Sequence, residues 1–430
     1  MGYEPAFGNR REEIAGFAVA ELARRFGTPV YVYDAAVIRQ RYADLAAFDV
    51  VRYAQKACSN LSILKLLREQ GALVDAVSVN EVRRALLAGY TAEPEEKGGP
   101  FPIVYTADIF DQAALDFIAD ECPVHVNCGS MDMIWQLGER VAGQGREITL
   151  RLNPGFGHGH SQKTNTGGDQ SKHGIWFEDL ERCFELAVHF GLKITGLHMH
   201  IGSGTDLEHL RQVCGAMKQS AREVGTQLQT ISCGGGLPVP YRPGESYVDL
   251  AEYHRLWQEV VDFLESAFGH KIRLEVEPGR YLVAESGSLI TEIRAVKRQK
   301  GNLFYLVDAG FNNLARPIMY GSWHPIAMAA GDGRYLSGDD EEAIVGGPLC
   351  ESGDIFTQEE GGFVSRRRLP RGEVGDLVVL GITGAYGAVM ASNYNSKLLA
   401  PEVLLDHGQA RVIRKRQSFE QLVANELETE

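Results

Sequence analysis

The chain has 430 residues, room for one large domain and a smaller one at a typical size of about 150 residues each. It carries 43 Lys and Arg against 57 Asp and Glu, a formal charge of −14, and 44% of its residues are hydrophobic. That acidic balance argues against nucleic acid or an anionic membrane as a partner, because affinity for polyanions comes from neutralising phosphates with Lys and Arg.

No apolar run reaches the roughly 18 residues of a membrane span, and the N-terminal stretch MGYEPAFGNRREEIAGFAV mixes charge into every apolar run, unlike a signal peptide. The seven cysteines (58, 122, 128, 183, 214, 233 and 350) are odd in number and form no C-x-x-C pair, which points to neither a disulfide framework nor a zinc ribbon. A cytoplasmic protein is expected.

In chain order, Ile14, Phe17, Ala18 and Leu22 share one face of an amphipathic segment, and PVYVYD (29–34) is strand-like. Eight short apolar runs follow, at 48–54, 72–78, 102–107, 123–128, 147–153, 193–200, 228–234 and 271–278. Helical patterns alternate with them, such as LSILKLLREQG, VNEVRRALLAG, MDMIWQLGERVAG and LEHLRQVCGAMKQSAREVG. Eight such units in roughly 230 residues match a (β/α)8 barrel of about 250 residues better than the alternative, a doubly wound sheet.

The stretch 153–174, rich in Gly, Asn, Ser and His, is aperiodic and predicts a long loop after the fifth strand. Beyond 283 the helical rhythm stops. SLITEIRAV, NLFYLVDAG, EAIVGGPLC, GDLVVLG and ARVIRKR predict strands of a second, C-terminal β-domain, a sandwich or barrel, and SFEQLVANELE a closing helix. The basic clusters 366–368 and 414–416 read as solvated strand faces.

A barrel gathers its chemistry at the C-terminal strand ends. Lys56, Asp75, Asn153, His200, Gly234–Gly235–Gly236 and Glu277–Pro278–Gly279–Arg280 all stand there. Three glycines after the seventh strand make either a tight turn or a phosphate loop, and Arg280 suits the same anion. Lys56 is either an exposed loop lysine or a Schiff-base lysine, and beside a phosphate loop and Glu277 the second choice points to pyridoxal 5′-phosphate. His198 and His200 form H-x-H with both rings on one side of a strand. With His158, His160 and His173 they keep a zinc hydrolase open, although no complete ligand set surrounds them.

The ordered motifs Y-A-x-K-A, D-A-x-S-x-x-E, H-x-H-I-G-S-G, G-G-G, E-P-G-R, C-E-S-G-D and G-A-Y resemble the fold type III pyridoxal-phosphate decarboxylases over nearly the whole chain. The resemblance implies decarboxylation of meso-2,6-diaminopimelate to L-lysine, or of another diamino acid such as ornithine or arginine, without a metal. Carried onto this chain, Lys56 forms the Schiff base and Asp75 belongs to the cofactor site. His200 stacks on the ring and Glu277 faces its nitrogen. Ser203, Gly234, Gly235, Gly236, Gly279, Arg280 and Tyr386 hold the phosphate.

For the substrate, the resemblance implies Arg316 and Tyr320 of R-P-x-x-Y-G at the distal carboxylate, together with Arg280 and Tyr386. Glu351 takes the distal ammonium and Cys350 supplies the proton. It further implies a homodimer with shared active sites, a barrel over 35–282, and a β-domain formed by 1–34 plus 283–430 that contributes substrate and dimer contacts. A relative that binds the cofactor without decarboxylating is a second possibility, opposed by the β-domain and Cys350. The chain departs from the usual K-A-N in having Lys56–Ala57–Cys58–Ser59–Asn60, which leaves Cys58 and Asn60 without a role.

Overall fold

A computed structural model describes residues 7–156, 167–200 and 206–427. By Cα proximity the chain divides into two units, one of 41–238 with 247–282, the other taking the chain up to Gln40, Val239–Ser246 and everything from Val283 onward. The segment Val239–Ser246 thus groups with the β unit, although it lies within the stretch that the sequence assigns to the barrel.

The first strand, β1 (Val30–Asp34), belongs to the β unit. The barrel strands are β2 (Val50–Ala54), β3 (Leu73–Ala76), β4 (Ile103–Ala107), β5 (His125–Cys128), β6 (Glu147–Asn153), β7 (Lys193–Met199), β8 (Thr230–Ser232) and β9 (Arg273–Val276). Each lies inside one of the eight predicted runs. All pairings are parallel, and β7 pairs with both β8 and β6 while β9 pairs with β2, which closes the circle. The doubly wound alternative is therefore wrong, because an open sheet has two unpaired edges and this one has none.

Strand-to-helix turns use one device repeatedly. Asn60, Ser78, Asp111, Ser130, Asp206 and Asp249 each cap the following helix by accepting a backbone N–H with the side chain. A cap of this kind contributes about 1 kcal/mol. Asn60, left without a role by the sequence, is the cap of helix Leu61–Glu69, and the Cys58 carbonyl accepts from the Tyr53 hydroxyl at 2.9 Å.

The barrel lumen departs from the usual filling of bulky branched residues. Alternate strand positions point inward, and here they include Arg52, His125, Asn127, Thr149, Ser232 and Glu275, which line a cavity of about 90 Å³ that reaches Glu277. Arg52 is 1% exposed and donates twice to Oε2 of Glu275, at 2.9 and 3.1 Å, and once to the Phe101 carbonyl at 2.8 Å.

The β unit adds β10 (Gly287–Gln299), β11 (Asn302–Val307), β12 (Ile326–Ala329), β13 (Asp340–Gly346), β14 (Arg367–Pro370), β15 (Leu377–Gly381), β16 (Glu402–Asp406) and β17 (Gln409–Arg414). Long β10 organises it, with β1 and β15 on its first half and β11 on its second, divided by an irregularity at Ile293/Ala295. The N-terminal strand β1 completes the sheet between β10 and β16, as the strand-like PVYVYD suggests. Its core includes Val30, Val32, Ile290, Val379, Val403 and Leu405.

Two expectations need correcting. The face from Ile14 to Leu22 is not one helix: Ala15 and Gly16 adopt positive φ (51° and 79°) in a tight turn between Glu13–Ile14 and Phe17–Ala18, and the helix is Val19–Phe26. Ile14, Val19 and Leu22 still enter the core. Nor is the 366–368 cluster wholly solvated, since the Arg367 guanidinium stacks over Trp323 at 4.2 Å. Among the described residues no helix is long and apolar enough to cross a membrane.

Candidate active site

Lys56 lies in a single helical turn, Gln55–Ala57, directly after β2, with its side chain exposed at the C-terminal end of the barrel. Its position is set from the other side of the closure. The Ala54 N–H donates to the Pro278 carbonyl at 3.2 Å, and a Cβ on Gly279 would stand 3.0 Å from the Ala54 carbonyl oxygen and 3.2 Å from Ala57 Cβ. Gly279 therefore lets the loop after β9 lie against the lysine turn.

Glu277, buried after β9, uses both carboxylate oxygens. His198 Nε2 lies 2.9 Å from Oε2 and Ser232 Oγ donates to Oε1 at 2.7 Å. Burial alone would raise its pKa, but the His198 charge and hydrogen bond, with Ser232, override this and hold it well below the ordinary range. Asp75, at the end of β3, moves the opposite way: burial first, then the neighbouring Glu277 charge, raise its pKa against the pull of Lys56. Two acids of one rim are thus pushed apart, Glu277 toward the anion and Asp75 toward the neutral acid.

His200 follows β7, its ring centroid 6.5 Å from that of His198. Its Nδ1 accepts the Gly235 N–H at 3.1 Å, and burial, helped by the Arg151 and Lys56 charges, pulls its pKa well down. The ring is neutral, with its proton on Nε2. The glycine run explains this closeness. A Cβ on Gly234 would meet His200 Cβ at 2.7 Å, and one on Gly235 would meet the Glu277 carbonyl oxygen at 2.4 Å.

The Gly234 and Gly235 N–H groups are directed at Ser232 Oγ (3.2 Å) and His200. The first task of these two glycines is hence to pack His200 against the Glu277 loop. Gly236 (φ 96°) completes the turn, and Arg280 opens the short helix Arg280–Val283.

Ser203, His158 and His160 lie outside the described residues, as do positions 157–166 of the predicted loop. Asn153 staples what is described of that loop, accepting the N–H groups of Gly155 and Gly168 and donating to the Gly168 and His173 carbonyls. His173 Nδ1 is 2.5 Å from Asp108, and His198 is committed to Glu277. Among the described residues no three His, Cys, Asp or Glu side chains converge as metal ligands.

In the β unit, Arg316 begins the short helix Arg316–Tyr320 and is 6% exposed, while Tyr320 is 36% exposed. The helix stops at Gly321, left-handed (φ 61°), where a Cβ would collide with the Glu360 nitrogen at 2.3 Å. Cys350 and Glu351 are both exposed. Their loop is built around buried Asp354, which accepts the Phe311 N–H at 2.7 Å and the Leu349 N–H at 2.8 Å, while Asn395 Oδ1 accepts the Cys350 N–H at 2.8 Å. Tyr386 is half-buried with φ 58°, a left-handed conformation uncommon for a non-glycine residue, of the kind that concentrates at functional sites.

The sequence reading missed Ser232, the partnership of His198 with Glu277, and Arg151. Arg151 is buried in β6 among the charges of Asp108, Glu277 and Asp75, and burial lowers its pKa. A lone arginine inside EITLRLN was the available signal.

These residues suit pyridoxal 5′-phosphate: an accessible amine, a carboxylate held ionised, a neutral imidazole, and a buried Asp75 Oδ1 with no hydrogen-bond partner among the described residues lie on one rim. Residues 35–284, more than half the chain, match the family described as pyridoxal-dependent decarboxylase, pyridoxal binding domain. Diaminopimelate decarboxylase of Escherichia coli K12 is 55% identical over 407 residues, 94% of this chain and 95% of that protein. The Streptomyces coelicolor enzyme of the same name is 51% identical over 413 residues, 96% of this chain and 92% of that protein.

Among solved structures, a diaminopimelate decarboxylase aligns with a TM-score of 0.91 at 55% identity over 95% of this chain and 96% of that one. The Helicobacter pylori diaminopimelate decarboxylase complexed with L-lysine aligns with a TM-score of 0.83 at 30% identity, over 94% and 98% of the two chains.

Proposed function

That the chain belongs to the pyridoxal-dependent decarboxylases is the premise from which we propose its reaction: meso-2,6-diaminopimelate loses carbon dioxide at its D-configured carbon, giving L-lysine, the last step of lysine biosynthesis. Full-length relatives sharing half their residues with this chain carry that activity in their names, which disfavours ornithine or arginine. The observation that carries the reading is Lys56 on the same barrel rim as ionised Glu277 and neutral His200.

Bound pyridoxal 5′-phosphate supplies an electron sink: its aldehyde condenses with amines, and its protonated ring accepts the electron pair left as carbon dioxide departs. Lys56 supplies the amine that holds the aldehyde. Glu277, kept anionic by His198 and Ser232, stabilises a proton on the ring nitrogen. His200, neutral, would lie along a face of the ring, where a second cation would compete with that proton. Asp75, biased toward the neutral acid, stands by Lys56 and can pass it a proton as amines exchange. Ser203, Gly236 on the turn that Gly234 and Gly235 shape, Gly279, Arg280 and Tyr386 would hold the phosphate.

Arg316 matches a carboxylate with a planar fork, and with Tyr320, Arg280 and Tyr386 it holds the carboxylates of the substrate. Glu351 pairs with the distal ammonium, and Cys350 delivers the proton that replaces carbon dioxide. Residues 35–282 carry the cofactor; residues 1–34 and 283–430 supply substrate and dimer contacts. Cys350 and Glu351, exposed on their loop, serve a two-fold partner's site in a cytoplasmic homodimer.

Borohydride reduction tests the cofactor attachment. The purified protein should be yellow, and reduction followed by peptide mapping should find the label on Lys56 alone. Label on another lysine, or a colourless active protein, contradicts the assignment.

A further inference from the structure

The surroundings of Arg316 carry an inference beyond its own role. Its Nη1 lies 3.0 Å from Nε2 of His324, and Nδ1 of that ring lies 3.0 Å from the Gly381 carbonyl oxygen at the end of β15. A guanidinium only donates and a carbonyl only accepts. The pair of contacts therefore fixes His324 as a neutral imidazole with its proton on Nδ1 and its Nε2 lone pair turned to Arg316. His324 is 1% exposed, so the packing holds it there.

The guanidinium also stacks over Tyr241, 4.9 Å from the ring centroid, and Tyr241 meets His324 edge-on at 5.4 Å and 86°. Tyr241 comes from the segment that leaves the barrel sequence to join the β unit. Its turn is stapled by Glu245, whose carboxylate accepts the N–H groups of Tyr241 (2.7 Å) and Arg242 (3.1 Å).

We propose that His324 and Tyr241 are positioning residues for substrate selection: they set the direction of the Arg316 fork without cancelling its charge, so that it meets the substrate's distal carboxylate ready-oriented. An acidic residue in the place of His324 would orient the arginine equally well but compete with the incoming carboxylate. A neutral acceptor and an aromatic face do not. The inference rests on the reading of Arg316 as the distal-carboxylate residue and names what makes that residue effective. It also gives the detour of 239–246 a purpose, since without Tyr241 the fork loses the face that keeps it planar to its target.

The test is steady-state kinetics on meso-diaminopimelate with the holoenzyme, for Arg316→Ala, His324→Leu, His324→Gln, Tyr241→Phe and Tyr241→Leu, each checked by its melting midpoint. His324→Leu and Tyr241→Leu should each raise KM roughly tenfold or more with kcat within about threefold of wild type, the signature of lost uniform binding. His324→Gln, whose amide oxygen can accept from Arg316, should restore most of the loss, and Tyr241→Phe should be near wild type. In the Arg316→Ala background His324→Leu should add little.

If Arg316→Ala raises KM but His324→Leu and Tyr241→Leu do not, the positioning proposal fails alone. If Arg316→Ala leaves KM unchanged, the reading of Arg316 itself fails. Should His324→Leu not fold, the Tyr241 pair and His324→Gln decide: a Tyr241→Leu enzyme with wild-type KM overturns the proposal.

Discussion

Glu277 shows how much of a residue's chemistry is supplied by its neighbours. Its identity, and that of Lys56, His200 and Arg280, could be read from motif and strand position. The partners that fix its charge could not, because His198 and Ser232 stand 79 and 45 positions away in sequence and meet it only once the barrel closes. Asn60 was opaque for a simpler reason: a cap is recognised by the helix it starts, and the expected K-A-N pattern drew attention to the wrong side of it.

Glu81, last residue of the D-A-x-S-x-x-E motif, is a similar case. It accepts the Val77 N–H at 2.8 Å, and burial raises its pKa to about 7, with Asp75 adding to the effect. Because the folded pKa lies above the unfolded value, the folded protein keeps a proton that the unfolded chain releases between about pH 4.5 and 7. Stability therefore falls as pH rises through that window and levels off above it, by about 1–3 kcal/mol from this residue. Urea unfolding should show a shallower decline in Glu81→Gln, the remainder coming from Asp75. An identical pH slope in the two proteins would refute the assignment.

Among elements, the barrel strands were legible because both faces of a closed parallel sheet are buried, so each strand is a short apolar run bounded by turns. The lumen was not. Arg52 and Glu275 lie in different runs, and nothing local says that they pair. Removing one partner of such a pair leaves a buried charge, at a cost of about 3–5 kcal/mol, whereas replacing both with apolar residues can be nearly neutral. Glu275→Ala should thus lower the unfolding free energy by that amount, and Arg52→Met with Glu275→Leu should recover most of it. Equal losses in the single and double variants would show that the pair is not the source.

In the β unit, β12 and β16 escaped notice, IAMA because it is so short, whereas β14 was seen only through its arginines, as a basic strand face. The N-terminal hairpin was misread as helix because Ile14, Phe17 and Leu22 satisfy a helical period while Ala15 and Gly16 break the chain between them.

For the whole molecule, the division suggested by length is a division of labour between two units with distinct chemistry. The barrel unit fixes the charge of Glu277 and the tautomer of His200 on the rim where the Lys56 amine stands. The β unit holds buried Arg316 and an exposed Cys350–Glu351 pair, to which the proposed reaction assigns the substrate's distal end. The net charge of −14 belongs to an acidic chain for which polyanions are poor partners, while the proposed reaction asks Arg280 and Arg316 to hold anionic groups.

The central claim is that this machinery removes one carboxyl group from meso-diaminopimelate. The direct measurement supplies the purified holoenzyme with carboxyl-labelled meso-diaminopimelate, ornithine and arginine in parallel and follows labelled carbon dioxide together with the amine product. The account predicts stoichiometric carbon dioxide and L-lysine from meso-diaminopimelate, with turnover of the other two lower by at least about a hundredfold, as expected when a site built for a carboxylate meets a substrate lacking it. Equal use of ornithine, or cofactor binding without carbon dioxide release, would contradict it.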